Sequence, residues 1–160
     1  MILGIDPGFS GGLAVINHKG EWIDGMRMPI YHLQKREMID TRELTKFWAS
    51  ALGASGSNTI VIESVHSMPK QGVASTFKFG RAAGSVEAWA LTMPCEMAFV
   101  TPQKWKKDMG VKREKRSSLK LANDLFPEAG AVDWSVLRND GIAEAALMAY
   151  HHWHFQHSLV

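Results

Sequence analysis

The chain opens on strands, and the first of them ends in an acid. Residues 2–6 read Ile-Leu-Gly-Ile-Asp, a short apolar run closed by Asp6, and Pro7-Gly8 turns the chain immediately afterwards. Residues 12–17 read as a second strand, His18-Lys19-Gly20 as a turn and residues 21–28 as a third strand. Two hairpin-linked strands after a first one predict an antiparallel meander. An acid is costly inside a core but well placed in a cleft where a buried strand stops.

Further along, helices alternate with strands. Asp40 is placed as an N-cap, with Glu43 three residues later to close a capping box. Leu44, Phe47, Trp48, Ala51 and Leu52 follow at amphipathic helical spacing, and Gly53 stops the helix. Residues 59–63 (Thr-Ile-Val-Ile-Glu) form a β-branched buried strand that again ends in an acid, Glu63. Residues 69–72 read as a loop, 73–92 as a helix, 95–100 as a strand, and 114–125 and 139–155 as two further helices. Trp22, Trp48, Trp89 and Trp134 are assigned to the core. The pattern implies an α/β domain, a mixed sheet covered by helices.

A length of 160 residues fits one domain, residues 1–160, with a full core. No apolar run approaches the ~20 residues of a membrane helix. The N-terminus is expected to be neither a signal nor a transit peptide. Cys95 is the only cysteine, which excludes an internal disulfide and a multi-cysteine zinc site, and a reducing cytoplasm is the expected compartment. The net charge of +2 is unevenly spread. Residues 104–120 hold eight basic residues and two acids, a local +6 that suggests a surface for an anionic partner, with a solvated helix face as the plain alternative.

A second pair of acids, Asp140 and Glu144, lies at i and i+4 on the last helix and so on one face. The apolar stretch from Ala145 to Ala149 should pack on the sheet and carry both acids toward it. Four converging carboxylates raise one another's pKa, and a divalent cation relieves the repulsion. Mg²⁺ and Mn²⁺ prefer such hard oxygen ligands. Two ions ~3.5–4 Å apart suit phosphodiester hydrolysis. Taken singly, each acid is better read as a surface or capping residue. A rival reading of the Gly4–Gly12 stretch is the phosphate loop of the sugar kinase, heat-shock and actin ATPases. Those proteins close two domains around the nucleotide, for which 160 residues are expected to be too few.

Five motifs stand in order along the chain: Gly-Ile-Asp-Pro-Gly at 4–8, Ile-Val-Ile-Glu at 60–63, the helix segment 74–84, the Val-Thr-Pro-Gln-Lys-Trp-Lys-Lys run at 100–107 with Gly110 and Lys115, and Asp-Gly-Ile-Ala-Glu-Ala-Ala at 140–146. As an ordered set they resemble the RuvC family of Holliday junction resolvases. The resemblance implies an RNase H-like fold with a five-stranded mixed sheet flanked by helices, and a homodimer. It further implies Mg²⁺- or Mn²⁺-dependent cleavage of four-way DNA junctions, with a second possibility of junction binding without cleavage. Flaps and forks are plausible further substrates, and a viral or prophage origin fits a compact, divergent member.

Carried over by position, Asp6, Glu63 and Glu144 are metal ligands and catalytic residues, and Asp140 joins them. Here the chain departs from the family pattern, whose last two acids commonly lie three residues apart. That earlier position is Gly141 here, and Asp140 precedes Glu144 by four.

The family's loop after the second-strand acid meets the junction centre. His66 in that loop is open to two readings, a base stack or an exposed histidine. The remaining candidate DNA contacts are Lys70, Lys78, Arg81, Lys104, Lys107, Lys112, Arg113, Lys115 and Arg116. Trp105 among them reads as a core anchor. Gly80 and Gly84 allow close helix approach, either to an equivalent helix in a dimer or to the protein's own sheet. His151, His152, His154 and His157 resemble a metal tract but are better read as partners of a helix C-terminus, with one a candidate general base.

Overall fold

The computed structural model describes residues 1–51, 57–64 and 72–157, with backbone alone for residues 115, 156 and 157. Its main sheet has five strands: β1 (Ile2–Asp6), β2 (Gly12–Ile16), β3 (Trp22–Arg27), β6 (Thr59–Glu63) and β7 (Glu96–Val100). The spatial order is β3-β2-β1-β6-β7. β1, β2 and β3 form the expected antiparallel meander. β6 pairs parallel to β1, and β7 parallel to β6. Among the described residues the helices are α1 (Thr41–Ala51), α2 (Val73–Ala90), α3 (Pro102–Asp108), α4 (Lys115–Leu125) and α5 (Asp140–His157), with a 3-10 turn at Leu137–Asn139.

Side-chain alternation along the strands divides the core in two. Leu3, Ile5, Leu13, Val15, Ile60 and Ile62 pack on one face with α1 and α2. Ile2, Ala14, Ile16 and Val61 pack on the other face with α4, α5 and Trp105 of α3. β1 is central and covered on both faces, which is why it reads as an unbroken apolar run. Trp48, Trp89 and Trp134 are buried as expected, while Trp22 is half-buried and stands edge-on to Trp134 at 5.5 Å.

Three local expectations change. Asp40 does cap α1, its Oδ1 accepting the Arg42 N–H at 3.1 Å, but the reciprocal half of the capping box is missing. Its own N–H donates to the Pro29 carbonyl at 2.9 Å, and the Glu43 carboxylate is drawn instead to Lys46 at 2.7 Å. Residues 30–39 form an unforeseen hairpin, β4 (Ile30–Leu33) with β5 (Arg36–Ile39), a separate two-stranded sheet. Its Gln34-Lys35 turn lacks the Gly or Asn that marks such turns, and Gln34 itself adopts φ 55°. α3 also lacks a long apolar pattern, yet Thr101 caps it, accepting the Lys104 N–H at 3.3 Å, and Pro102 opens it. The expected Leu52-Gly53 helix end and residues 69–71 of the expected loop lie outside the described residues. Among the described residues no helix is long and apolar enough to cross a membrane.

α5 lies very close to β1 and β2. A Cβ on Gly4 would fall 1.9 Å from the Ala145 carbonyl oxygen, and one on Gly141 would fall 2.4 Å from the Gly11 backbone. Gly11 and Gly141 form an isolated parallel bridge. This backbone contact brings the first turn of α5 onto the sheet edge where β1 ends.

Candidate active site

Strand parity decides which way the two strand acids face. Asp6 shares its side of β1 with Ile2 and Gly4, and Glu63 shares its side of β6 with Val61; that side is the one α5 covers. The parallel register pairs Ile5 with Ile62, so Asp6 and Glu63 lie side by side one residue further on, at the carboxyl ends of the strands. α5 adds Asp140 in its first turn and Glu144 one turn later. The sheet and helix thus bring the four sequence-assigned acids to one edge.

The electrostatics show that they feel one another. Asp6 is pushed up to about 7, first by burial, then by repulsion from Glu63 and Glu144, with a smaller contribution from Asp140; the Gly8 N–H, 3.4 Å from its Oδ1, opposes the rise. Glu63 is 8% exposed and also lies above its ordinary value, through burial and the Glu144 charge. Against that rise act the Trp105 indole N–H, donating to Oε1 at 2.9 Å, and the Lys106 charge. Glu144 Oε1 accepts from Lys106 Nζ at 2.8 Å and from Ser118 Oγ at 3.2 Å.

Among the described residues, no three His, Cys, Asp or Glu side chains already surround one point closely enough to hold an ion. Glu144 is turned toward Lys106 and Ser118. The donor set nonetheless fits a hard divalent cation. It is all carboxylate oxygen, and the repulsion that raises Asp6 is what a nearby positive charge would relieve.

The family profile described as crossover junction endodeoxyribonuclease RuvC matches residues 2–120. The chain belongs to the RuvC family. The matched segment contains Asp6 and Glu63 and ends before Asp140 and Glu144, which the fold alone brings to them. No curated protein matches the chain significantly. A solved Thermus thermophilus RuvC in complex with a Holliday junction substrate is similar, with 15% identity, a TM-score of 0.67, and coverage of 98% of this chain and 95% of that one. A further Thermus thermophilus RuvC structure is similar at 16% identity and a TM-score of 0.60, covering 98% and 96% of the two chains. At such identities the likeness shows the fold, which is the RNase H-like α/β fold.

The candidate DNA contacts of this RuvC-family chain scatter more than the acids. Lys78 is exposed, but its Nζ pairs with Glu37 and lies 5.1 Å over the Phe9 ring. Arg81 lies 6.0 Å over the Phe77 ring on the same helix. Lys104 pairs with Asp108 at 2.9 Å. Lys107, Lys112 and Arg113 are exposed along α3 and the loop after it. Arg116 lines a shallow groove with Lys120, Asn123 and Trp134. Lys115 opens α4, and its side chain, like His66 and Lys70, lies outside the described residues.

Two groups gain roles that the sequence did not suggest. Trp105 is fully buried, as a core anchor should be, and its one polar atom is spent on Glu63. Lys106 and Ser118 both hold Glu144. The available signal was the position of Trp-Lys directly after a capped helix start, but nothing in spacing alone aims Trp105 and Lys106 at acids 42 and 38 residues away, or Ser118 at one 26 residues away. His151 is buried and bonds Asp108 at 2.8 Å, tying α5 to α3.

Proposed function

We propose that this chain is a structure-selective endonuclease that resolves Holliday junctions, and accepts other branched DNA, by Mg²⁺- or Mn²⁺-dependent phosphodiester hydrolysis as a homodimer. The observation that carries the reading is the meeting of Asp6, Glu63, Asp140 and Glu144 at one sheet edge in a RuvC-family chain. Those four acids would hold the cation, which supplies charge for activating water and stabilising the leaving oxygen. The chain's own contribution is placement. β1 and β6 fix Asp6 and Glu63 side by side, and the Trp105 indole sets the Glu63 rotamer. Ser118 and Lys106 steady Glu144 at the mouth of the site. Such supporting contacts commonly govern ligand affinity as strongly as the ligands do.

A dimer is supported by α2. Val73, Phe77, Gly80, Gly84, Ala88 and Leu91 recur at helical spacing and are all exposed, Val73 at 87% and Phe77 at 67%. A Cβ on Gly80 or Gly84 would meet nothing within 4 Å, so neither glycine serves packing against the chain's own sheet. An apolar stripe interrupted by small residues suits a second copy of the same helix.

The test offers purified protein a synthetic four-way junction and a linear duplex, with Mg²⁺ and with chelator. Nicks confined to the junction, requiring the metal and lost in Asp6→Asn, are expected. Tight junction binding with no nicking under any divalent ion would replace this reading with that of a non-cleaving junction binder.

A further inference from the structure

We infer that the β4–β5 hairpin is a second DNA-contacting element, a wing that grips the phosphate backbone of a duplex arm beside the active site. The inference rests on reading the chain as a DNA-binding enzyme.

The base of the hairpin is anchored and its tip is not. Ile39 is buried in the core, the Pro29 carbonyl accepts the Asp40 N–H at 2.9 Å, and Lys78 of α2 pairs with Glu37. Arg42 grips Asp40 through two hydrogen bonds of 2.9 and 2.8 Å and lies 4.7 Å over the Tyr31 ring. Residues 31–36 are exposed without exception.

This anchoring sorts the charges. The acids of the segment, Glu37 and Asp40, are each neutralised by a cation from a helix. Lys35 and Arg36, at the tip, have no ion-pair partner among the described residues. Cross-strand register puts Leu33 beside Arg36 and Tyr31 beside Met38 on one face, while His32 and Glu37 share the other, which leans on α2. The free face therefore offers a half-exposed leucine and the Arg36 guanidinium, with Lys35 at its end and the Tyr31 ring beneath Arg42 at its base. Cations over apolar and aromatic surface fit a nucleic-acid backbone, with its phosphates and flat sugar and base edges. Gln34 holds a left-handed conformation at the very tip, a strain that a tight turn at a functional point can retain.

The hairpin also springs from the catalytic edge. Met28, two residues before β4, donates its N–H to Gly11 at 3.0 Å. Lys78, which pairs with Glu37, covers Phe9 in the turn directly after Asp6. A DNA arm entering the acid cluster would pass close to this wing.

The test is fluorescence anisotropy of a labelled four-way junction and a labelled linear duplex, in chelator, across a salt series, for wild type and for Lys35→Ala/Arg36→Ala. Both side chains are exposed, so the thermal midpoint should not move. The double variant is expected to bind the junction about tenfold more weakly near 0.1 M salt, with a log–log salt slope shallower by about 1 to 2. The charge-preserving Lys35→Arg/Arg36→Lys should restore both. Unchanged affinity and slope in the alanine variant, with tight wild-type binding, overturns the wing and leaves the resolvase reading standing. Wild type that binds neither DNA overturns both. A variant that turns a dimer into a monomer makes the hairpin a subunit contact and overturns the wing as well.

Discussion

Asp6 carries its carboxylate where burial and three neighbouring acids all oppose the negative charge. Its folded pKa of about 7, against an ordinary 3.8, means that the folded protein holds a proton the unfolded chain has already lost. Folding therefore draws stability from that proton below about pH 4, and loses it as the pH rises through about 7. The loss is at most about 4 kcal/mol, at 1.36 kcal/mol per pKa unit. In chelator, thermal melts near pH 5 should lie above those near pH 8, and Asp6→Asn should flatten the difference. Added Mg²⁺ should recover stability at the higher pH. A wild-type midpoint that stays level across this range would mean that Asp6 is not in the field of its neighbours. That Asp6 and Glu63 each end a strand was legible, because an acid closing an apolar strand is a local pattern. That Trp105, Lys106 and Ser118 hold two of the acids was not, because those contacts join distant segments.

At the scale of elements, the first turn of α5 decides where its acids can stand. Family members commonly carry the earlier acid at the position of Gly141, but here the helix backbone bridges to Gly11 and leaves no room for a side chain. The acid of this turn is Asp140, one residue before the contact. Gly141→Asp, which would restore the common spacing, should therefore lower stability by about 2 kcal/mol or more, since the neighbour it strikes is backbone and cannot rotate away. Denaturant unfolding measures this, and an unchanged midpoint would show that α5 can withdraw from β2 without cost. The main strands and helices were readable from period and caps. The β4–β5 hairpin was not, because its turn residues carry no turn signal and, among the described residues, its two short strands form a sheet of their own.

For the whole molecule, α2 presents its apolar stripe away from the chain's own core. Sedimentation should give a species of twice 17.8 kDa for wild type. Gly84→Arg, set in the middle of the stripe where an added side chain meets nothing within the subunit, should give a folded monomer. Such a monomer should nick a junction strand without the paired incision that two symmetric sites allow. A wild-type monomer in sedimentation, with full paired cleavage, would remove α2 as the dimer surface.

Sequence by itself determined the order and type of the main elements, the strand-end placement of Asp6 and Glu63, and the pairing of Asp140 with Glu144 on one helix face. Each follows from local rules, the two-residue period of a strand and the 3.6-residue turn of a helix. Tertiary structure alone decided that these acids share an edge, that Glu144 is held by a lysine and a serine, and that Gly141 must stay a glycine. It also decided that Gly80 and Gly84 face outward and that a cationic hairpin stands beside the site. These depend on the distance between segments remote in the chain, which packing sets and local sequence pattern does not.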